Sequence, residues 1–354
     1  MNILKAYNIR PFILFFITFV FAFPALAAKP EVVILATGGT IAGAGETSVS
    51  QTYTAAKVPV EKLLAAVPQI QDKANVRGEQ VVQIASQAMT NEIWLTLAHR
   101  VQHHLNQKEV SGIVITHGTD TMEETAFFLS LVIDSDKPVI LVGSMRPTTS
   151  LSADGAVNLY NAVALAADPQ AKNYGVMVVM NDKIFAAKDV TKSHTTAVDT
   201  FVARNNGELG RIEFGNINFY QPANTKTSSP FTLTDIKSLP SVDIVYGYAN
   251  ASSIPVSALV MNGSKGIIHA GVGNGNLFPE VEEALINARK KGVYVVRSTR
   301  VGSGHVIRNA EVEDDRWDFI VSDDLSPQKA RILLMLALTK SKDTKEIQKW
   351  FYQF

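Results

Sequence analysis

The sequence predicts an α/β protein with a larger N-terminal domain, whose mostly parallel sheet is flanked by helices, and a smaller C-terminal α/β domain with its own parallel sheet. Two observations carry this expectation. Short uninterrupted apolar runs, the pattern of strands buried on both faces, alternate with amphipathic stretches of helical period. A polar, proline-bearing stretch at 221–240, QPANTKTSSPFTLTDIKSLP, separates two such series and reads as a linker. The expected division is therefore residues 1–28 as a leader, 29–220 as the N-terminal domain, 221–240 as the linker and 241–354 as the C-terminal domain. At 354 residues, 46% hydrophobic and 19% charged, the chain can bury a full core. Acidic and basic residues balance at 33 each, which gives no sign of a nucleic-acid partner and favours a small one.

In order, Lys5 and Arg10 precede an apolar run from Pro11 to Phe23, and Ala25-Leu26-Ala27 follows with small residues at cleavage spacing. That pattern predicts a secretory signal peptide, a mature start at Ala28 or Lys29 and a periplasmic protein. The run is shorter than the ~20 residues a membrane span needs. No cysteine is present, so neither disulfides nor thiol chemistry can contribute.

Val32 to Ala36 predicts a buried strand, and TGGTIAGAG follows it. Its glycines permit positive φ and close backbone approach, so Thr40 can sit on a bend at the strand's carboxyl end. A dinucleotide-binding turn is excluded because Thr40 stands where the second glycine is required, and no Walker-type Gly-Lys-Thr exists. Ala42 to Thr54, rich in Gly, Ser and Thr with one aromatic, Tyr53, suits a closing lid. Val81 to Ala85 reads as a strand ending at Ser86 and Gln87, before a helix with Trp94, Leu97, Ala98, Val101 and Leu105 on one face.

The stretch GIVITHGTDTMEETAFFLSL at 112–131 repeats this grammar. Ile113 to Ile115 predict a strand, and Thr121 with Glu124 has capping-box spacing, so a helix should begin there with Met122, Ala126, Leu129 and Ile133 inward. Thr119 and Asp120 fall between. They either cap the helix or, as ligands bind at the carboxyl ends of parallel strands, face a site. Further strands are expected at Val139 to Val142 and Val176 to Met180, with a helix opening at Asp154 or Gly155. Lys192 lies in a polar surface segment, where a lysine is usually just solvated. Beyond the linker, strands at Val242 to Tyr246, Gly266 to His269 and Val293 to Val296 alternate with helices, and Ser326-Pro327 supplies the cap and first helical residue of a stretch ending near Thr339.

Two stretches, ILATGGTIAG at 34–43 and THGTDTMEET at 116–125, resemble the two signatures of bacterial type II L-asparaginases and the related glutaminase-asparaginases, and the likeness extends through SMRPTTSLSADGAVNLYNAV, DVTK, AGVGNGNL and AEVED. The resemblance implies hydrolysis of L-asparagine, alone or together with L-glutamine, without metal or cofactor. It implies Thr40 as nucleophile with Tyr53 assisting proton removal, and a second triad of Thr119, Asp120 and Lys192. A hydroxyl is a weak nucleophile until a base takes its proton, and a lysine of ordinary pKa about 10.4 must be partly buried to do so. Ser86, Gln87, Thr119, Asp120, Asn274 and Glu311 are the implied substrate-binding groups. In the family the equivalents of Asn274 and Glu311 come from a neighbouring subunit, which implies a homotetramer built as a dimer of intimate dimers. The chain departs from the family pattern at Ala85, where glycine is common, and at Ser135, where one cysteine of a disulfide would stand.

Other readings compete. His117 is a tempting general base, but no Gly-x-Ser-x-Gly elbow or His-Glu-x-x-His helix accompanies it, and His103-His104 reads as an unaccompanied pair on a polar helix face. An exported two-domain α/β chain of this size also fits an amino-acid binding protein of a transport system, hinged at the linker. An amidotransferase-type ammonia donor is a third reading, which the leader disfavours.

Overall fold

The structure, a computed structural model, describes residues 28–45, 47–48, 53–54, 57–223 and 229–354. The expected leader therefore lies outside the described residues, apart from Ala28. None of the described helices is long and apolar enough to cross a membrane.

The chain opens with β1 (Glu31–Gly38), a short ribbon of β2 (Ala44–Gly45) and β3 (Tyr53–Thr54), and two small helices, α1 (Val60–Ala66) and α2 (Ile70–Lys73). β4 (Asn75–Ile84), α3 (Asn91–Leu105), β5 (Val110–Thr116), α4 (Met122–Val132), β6 (Val139–Val142), α5 (Gly155–Ala167) and β7 (Val176–Met180) follow as strand and helix in turn. Short strands come next: β8 (Lys183–Ala186), β9 (Val190–Lys192), β10 (Phe201–Ala203), β11 (Gly210–Glu213) and β12 (Asn216–Phe219). The remainder is β13 (Val242–Tyr246), α6 (Ile254–Met261), β14 (Gly266–Gly271), α7 (Pro279–Lys290), β15 (Tyr294–Thr299), α8 (Asp314–Trp317), β16 (Ile320–Val321), α9 (Pro327–Lys340) and α10 (Thr344–Gln353).

The larger sheet runs β4, β1, β5, β6, β7, β8, β11, β12. Its first five strands are parallel, and β8, β11 and β12 extend it antiparallel. The smaller sheet, β13 to β16, is wholly parallel. The apolar runs are continuous because both faces of the larger sheet are covered: Val33 and Leu35 of β1 join one core, Val32, Ile34 and Ala36 the other. The first of these cores does not stop at the larger sheet. It continues through α9, buried on nearly every side, to Val242, Ile268 and Val296 of the smaller sheet.

Four expectations need correction. β4 begins at Asn75, not Val81, because the polar run 75–80 pairs with β1 from Glu31↔Asn75 to Ala36↔Gln80, so backbone pairing at a sheet edge outweighs side-chain pattern. The capping box is not formed: Thr121 makes no side-chain cap and donates instead to Ser86 O at 2.8 Å, while burial pushes the Glu124 carboxyl above its ordinary value. The stretch 221–240 is more than a linker, since Phe231, Leu233 and Ile236 are buried in the shared core. His104 is not unaccompanied; it is 3% exposed, with its Nε2 2.8 Å from Glu79 Oε2.

Candidate active site

Three strand ends meet at one cleft. β1 delivers Thr40, β5 delivers Thr119 and Asp120, and β4, on the other side of β1 from β5, delivers Ser86 and Gln87. Glycines let the three loops touch. Gly39, at φ 81° and ψ −171°, lies so close to the second loop that an added Cβ would sit 2.4 Å from Gly118 N and 2.5 Å from its Cα. A Cβ on Gly118 would in turn meet Ser86 Oγ at 2.5 Å. Hydrogen bonds complete the lock: Gly39 N–H donates to Ile84 O at 3.0 Å, and Asp120 N–H to Ser86 Oγ at 3.2 Å.

The result is a cleft of roughly 450 Å³ lined by Gly39, Thr40, Thr54, Ala85, Ser86, Gln87, Gly118, Thr119 and Asp120. Thr40, Thr119 and Ser86 are buried in its wall at 7%, 5% and 5% exposure, whereas Gln87 and Asp120 are open to solvent. Lys192 arrives from β9. Its Nζ donates to Thr119 Oγ1 at 2.9 Å and to Asp120 Oδ1 at 2.7 Å. The side chain is only 17% exposed, so the expectation of an ordinary solvated lysine is replaced by one turned inward onto a hydroxyl and a carboxylate.

His117 is no general base. Its ring is wholly buried behind the loop, with Nδ1 2.7 Å from Gly118 O and Nε2 2.9 Å from Thr125 Oγ1, and burial pushes the imidazole down to about 4. It braces the turn as a neutral ring.

Not every residue singled out in the sequence reaches the cleft within one chain. Asn274 lies in the loop after β14, where its Oδ1 accepts Ile307 N–H at 2.8 Å, and Glu311 is exposed before α8; neither lines the cleft. Tyr53 pairs through its backbone with Gly45, but its side chain lies outside the described residues. Among the described residues no group of three or more His, Asp or Glu side chains could hold a metal ion. Sequence reading also passed over Glu123, which is 5% exposed and takes the backbone N–H of Lys192 on Oε2 at 2.7 Å. The available signal is an acid flanked by the apolar inner face of α4, at Met122 and Ala126, but the capping-box spacing from Thr121 points to neighbouring Glu124 instead.

Two hydroxyls on one cleft, with an amine and a carboxylate beside one of them, form an arrangement suited to acyl transfer. The comparisons agree with that chemistry. Residues 31–225 match the family described as Asparaginase, N-terminal, and residues 241–351 match the Glutaminase/Asparaginase C-terminal domain. The chain is 53% identical over 332 residues to L-asparaginase 2 of Escherichia coli K12, covering 93% of this chain and 95% of that one. It is 52% identical over 328 residues to the glutaminase-asparaginase of Pseudomonas fluorescens biotype A, covering 92% and 90%. The solved structure of a probable cytoplasmic L-asparaginase from Campylobacter jejuni superposes with a TM-score of 0.89 at 47% identity, over 92% of this chain and all of that one. Nothing among these relatives supports the transport-receptor reading. The chain belongs to the asparaginase and glutaminase-asparaginase family of amidohydrolases.

Proposed function

We propose that the protein hydrolyses the side-chain amide of L-asparagine, or of both L-asparagine and L-glutamine, to the dicarboxylic amino acid and ammonia. The observation that carries this reading is the pairing of two buried threonines in one cleft with Lys192 Nζ 2.9 Å from the second. Thr40 Oγ attacks the amide carbon, with the Tyr53 phenol assisting removal of its proton. The oxyanion so formed is held by loop amides near Thr119, and one good donor of this kind contributes about 2.7–4 kcal/mol. The C–N bond breaks, the nitrogen takes a proton and leaves as ammonia, and water then cleaves the threonyl ester. The Thr119, Asp120 and Lys192 triad moves protons for these steps, a contribution of roughly 10²- to 10⁴-fold.

Ser86, Gln87, Thr119 and Asp120 hold the substrate's α-carboxylate and α-ammonium, the carboxylate of Asp120 facing the ammonium. Asn274 and Glu311, which do not line the cleft of their own chain, complete the site of a neighbouring subunit in a homotetramer of two intimate dimers. The functional division is a leader at 1–28, a catalytic domain at 29–220 and a C-terminal domain at 241–354, joined by 221–240, whose Phe231, Leu233 and Ile236 pack into the shared core. The leader pattern supports a periplasmic protein, although the Campylobacter jejuni relative is described as cytoplasmic.

The test is ammonia release by the purified chain from Lys29 onward, with each amide supplied separately. Release from asparagine alone identifies an asparaginase, and comparable release from both identifies a glutaminase-asparaginase. Binding without ammonia overturns the proposal. Sedimentation and the N-terminal sequence of exported protein test the tetramer and the leader.

A further inference from the structure

The strand that carries Lys192 has an unusual support. Among the described residues β9 pairs with β10 alone, through Lys192↔Phe201, Thr191↔Val202 and Val190↔Ala203, in a two-stranded ribbon outside both main sheets. A ribbon of that size is marginal by itself, and the backbone groups on its other edge need partners. Among the described residues no strand supplies them; two side chains do, and a third braces one of these. Lys329 Nζ donates to Lys188 O at 2.7 Å and to Val190 O at 2.5 Å, and Glu123 Oε2 accepts from Lys192 N–H. The second oxygen of Glu123 accepts from Gln328 Nε2 at 2.5 Å.

These side chains come from two places in the fold. Glu123 sits in the first turn of α4, three residues after Asp120, where a carboxylate is favoured by the helix's positive end. Gln328 and Lys329 sit in the first turn of α9, which belongs to the C-terminal half of the chain. Glu123 and Lys329 are 5% and 3% exposed, so their hydrogen bonds are shielded from water and hold one geometry. One carboxylate thus ties the backbone of Lys192 to the helix that follows Thr119 and Asp120, and ties both to α9.

We infer that Glu123, Gln328 and Lys329 form a positioning clamp that fixes the Lys192 ammonium at hydrogen-bond distance from Thr119 Oγ1. The clamp rests on the reading of Lys192 as a proton carrier given above. None of the three residues lines the cleft, so each acts through Lys192 and not on substrate. Catalysis is sensitive to such placement, since a displacement of about 1 Å can lower turnover about 100-fold.

The experiment measures kcat and KM for asparagine in the assembled mature enzyme carrying Glu123→Ala, Glu123→Gln or Gln328→Ala, each also in a Lys192→Met background. Glu123→Ala is expected to lower kcat about 10- to 100-fold with KM changed less than about 3-fold. Glu123→Gln should restore most of the rate, because its amide oxygen can still accept the Lys192 N–H while the Gln328 amide turns over. In the Lys192→Met enzyme, Glu123→Ala should remove nothing further, since residues acting as a unit are non-additive. A folded Glu123→Ala enzyme with normal kcat overturns the clamp, as does an equal fractional loss in both backgrounds. Should Glu123→Ala fail to assemble, Gln328→Ala decides by the same two comparisons, with an expected loss of about 3- to 10-fold. Unchanged turnover in Lys192→Met alone overturns the underlying reading of the site, a result distinct from failure of the clamp.

Discussion

Replacing Gly39 by alanine tests whether the site is held by the mutual contact of its loops. The new Cβ would lie 2.4 Å from Gly118 N and 2.5 Å from Gly118 Cα, where ordinary Cβ contacts begin at 3.4 Å. The two loops must therefore separate by about 1 Å, and both partners are backbone with no flexible end to swing aside. The φ of 81° with ψ of −171° adds a second cost, for that region is essentially reserved to glycine and an occupant with a side chain is strained by about 1–3 kcal/mol. With overpacking of similar size, the loss comes to about 2–6 kcal/mol. Thr40 and Thr119 flank this contact, so the same separation should lower kcat about 100-fold. Gly207 is the control, since its φ is also positive, at 79°, but nothing lies within 4 Å of an added Cβ. Alanine there should cost only about 1–2 kcal/mol, from its backbone conformation alone, and leave kcat unaltered. Urea unfolding and steady-state ammonia release read both quantities. A Gly39→Ala enzyme with kcat within about 3-fold of normal would refute the coupling of the loops.

Three further outcomes are expected. Thr40→Ala and Thr119→Val should each abolish ammonia release while circular dichroism and assembly stay normal; turnover near the original rate in either variant sinks the two-threonine mechanism. Glu311→Ala should raise KM for asparagine, whereas Lys192→Met should mainly lower kcat, and the reverse pattern would show their roles exchanged. The third outcome concerns Glu79, which takes two hydrogen bonds from Arg100 at 2.6 and 2.7 Å and one contact with His104, and the arginine above all draws its carboxyl down to about 2. Because the folded value lies below the ordinary 4.5, the stabilisation is full above about pH 4.5 and is lost as pH falls toward 2. With 29% of the side chain in solvent, screening limits it to about 1 kcal/mol. The urea-midpoint difference between the natural enzyme and Glu79→Gln should thus shrink on going from about pH 6 to about pH 3; a constant difference contradicts the assignment.

The parallel half of the larger sheet was legible because burial on both faces leaves unbroken apolar runs, as at Val32 to Ala36 and Ile113 to Ile115. The strand ends bearing Thr40, Ser86 and Thr119 were legible for the same reason, small polar residues being conspicuous after such runs. The antiparallel extension was not, since β8, β11 and β12 are four residues each and their pattern is set by neighbours remote in sequence. Local capping chemistry misled at Thr121, whose hydroxyl found the carbonyl of Ser86, thirty-five residues earlier, in place of its own helix. Glu123 was invisible for a related reason: nothing within α4 reveals that β9 and α9 will converge on it.

The core that passes from α4 through α9 into the smaller sheet leaves no natural plane of division. Leu333, Leu334, Met335 and Leu336 are wholly buried, so a break between the two series of strands would strip an oily flank from each fragment. Calorimetry should accordingly register one heat-absorption peak, not two. Fragments made apart should be insoluble singly and recoverable only when expressed together, as a complementing pair.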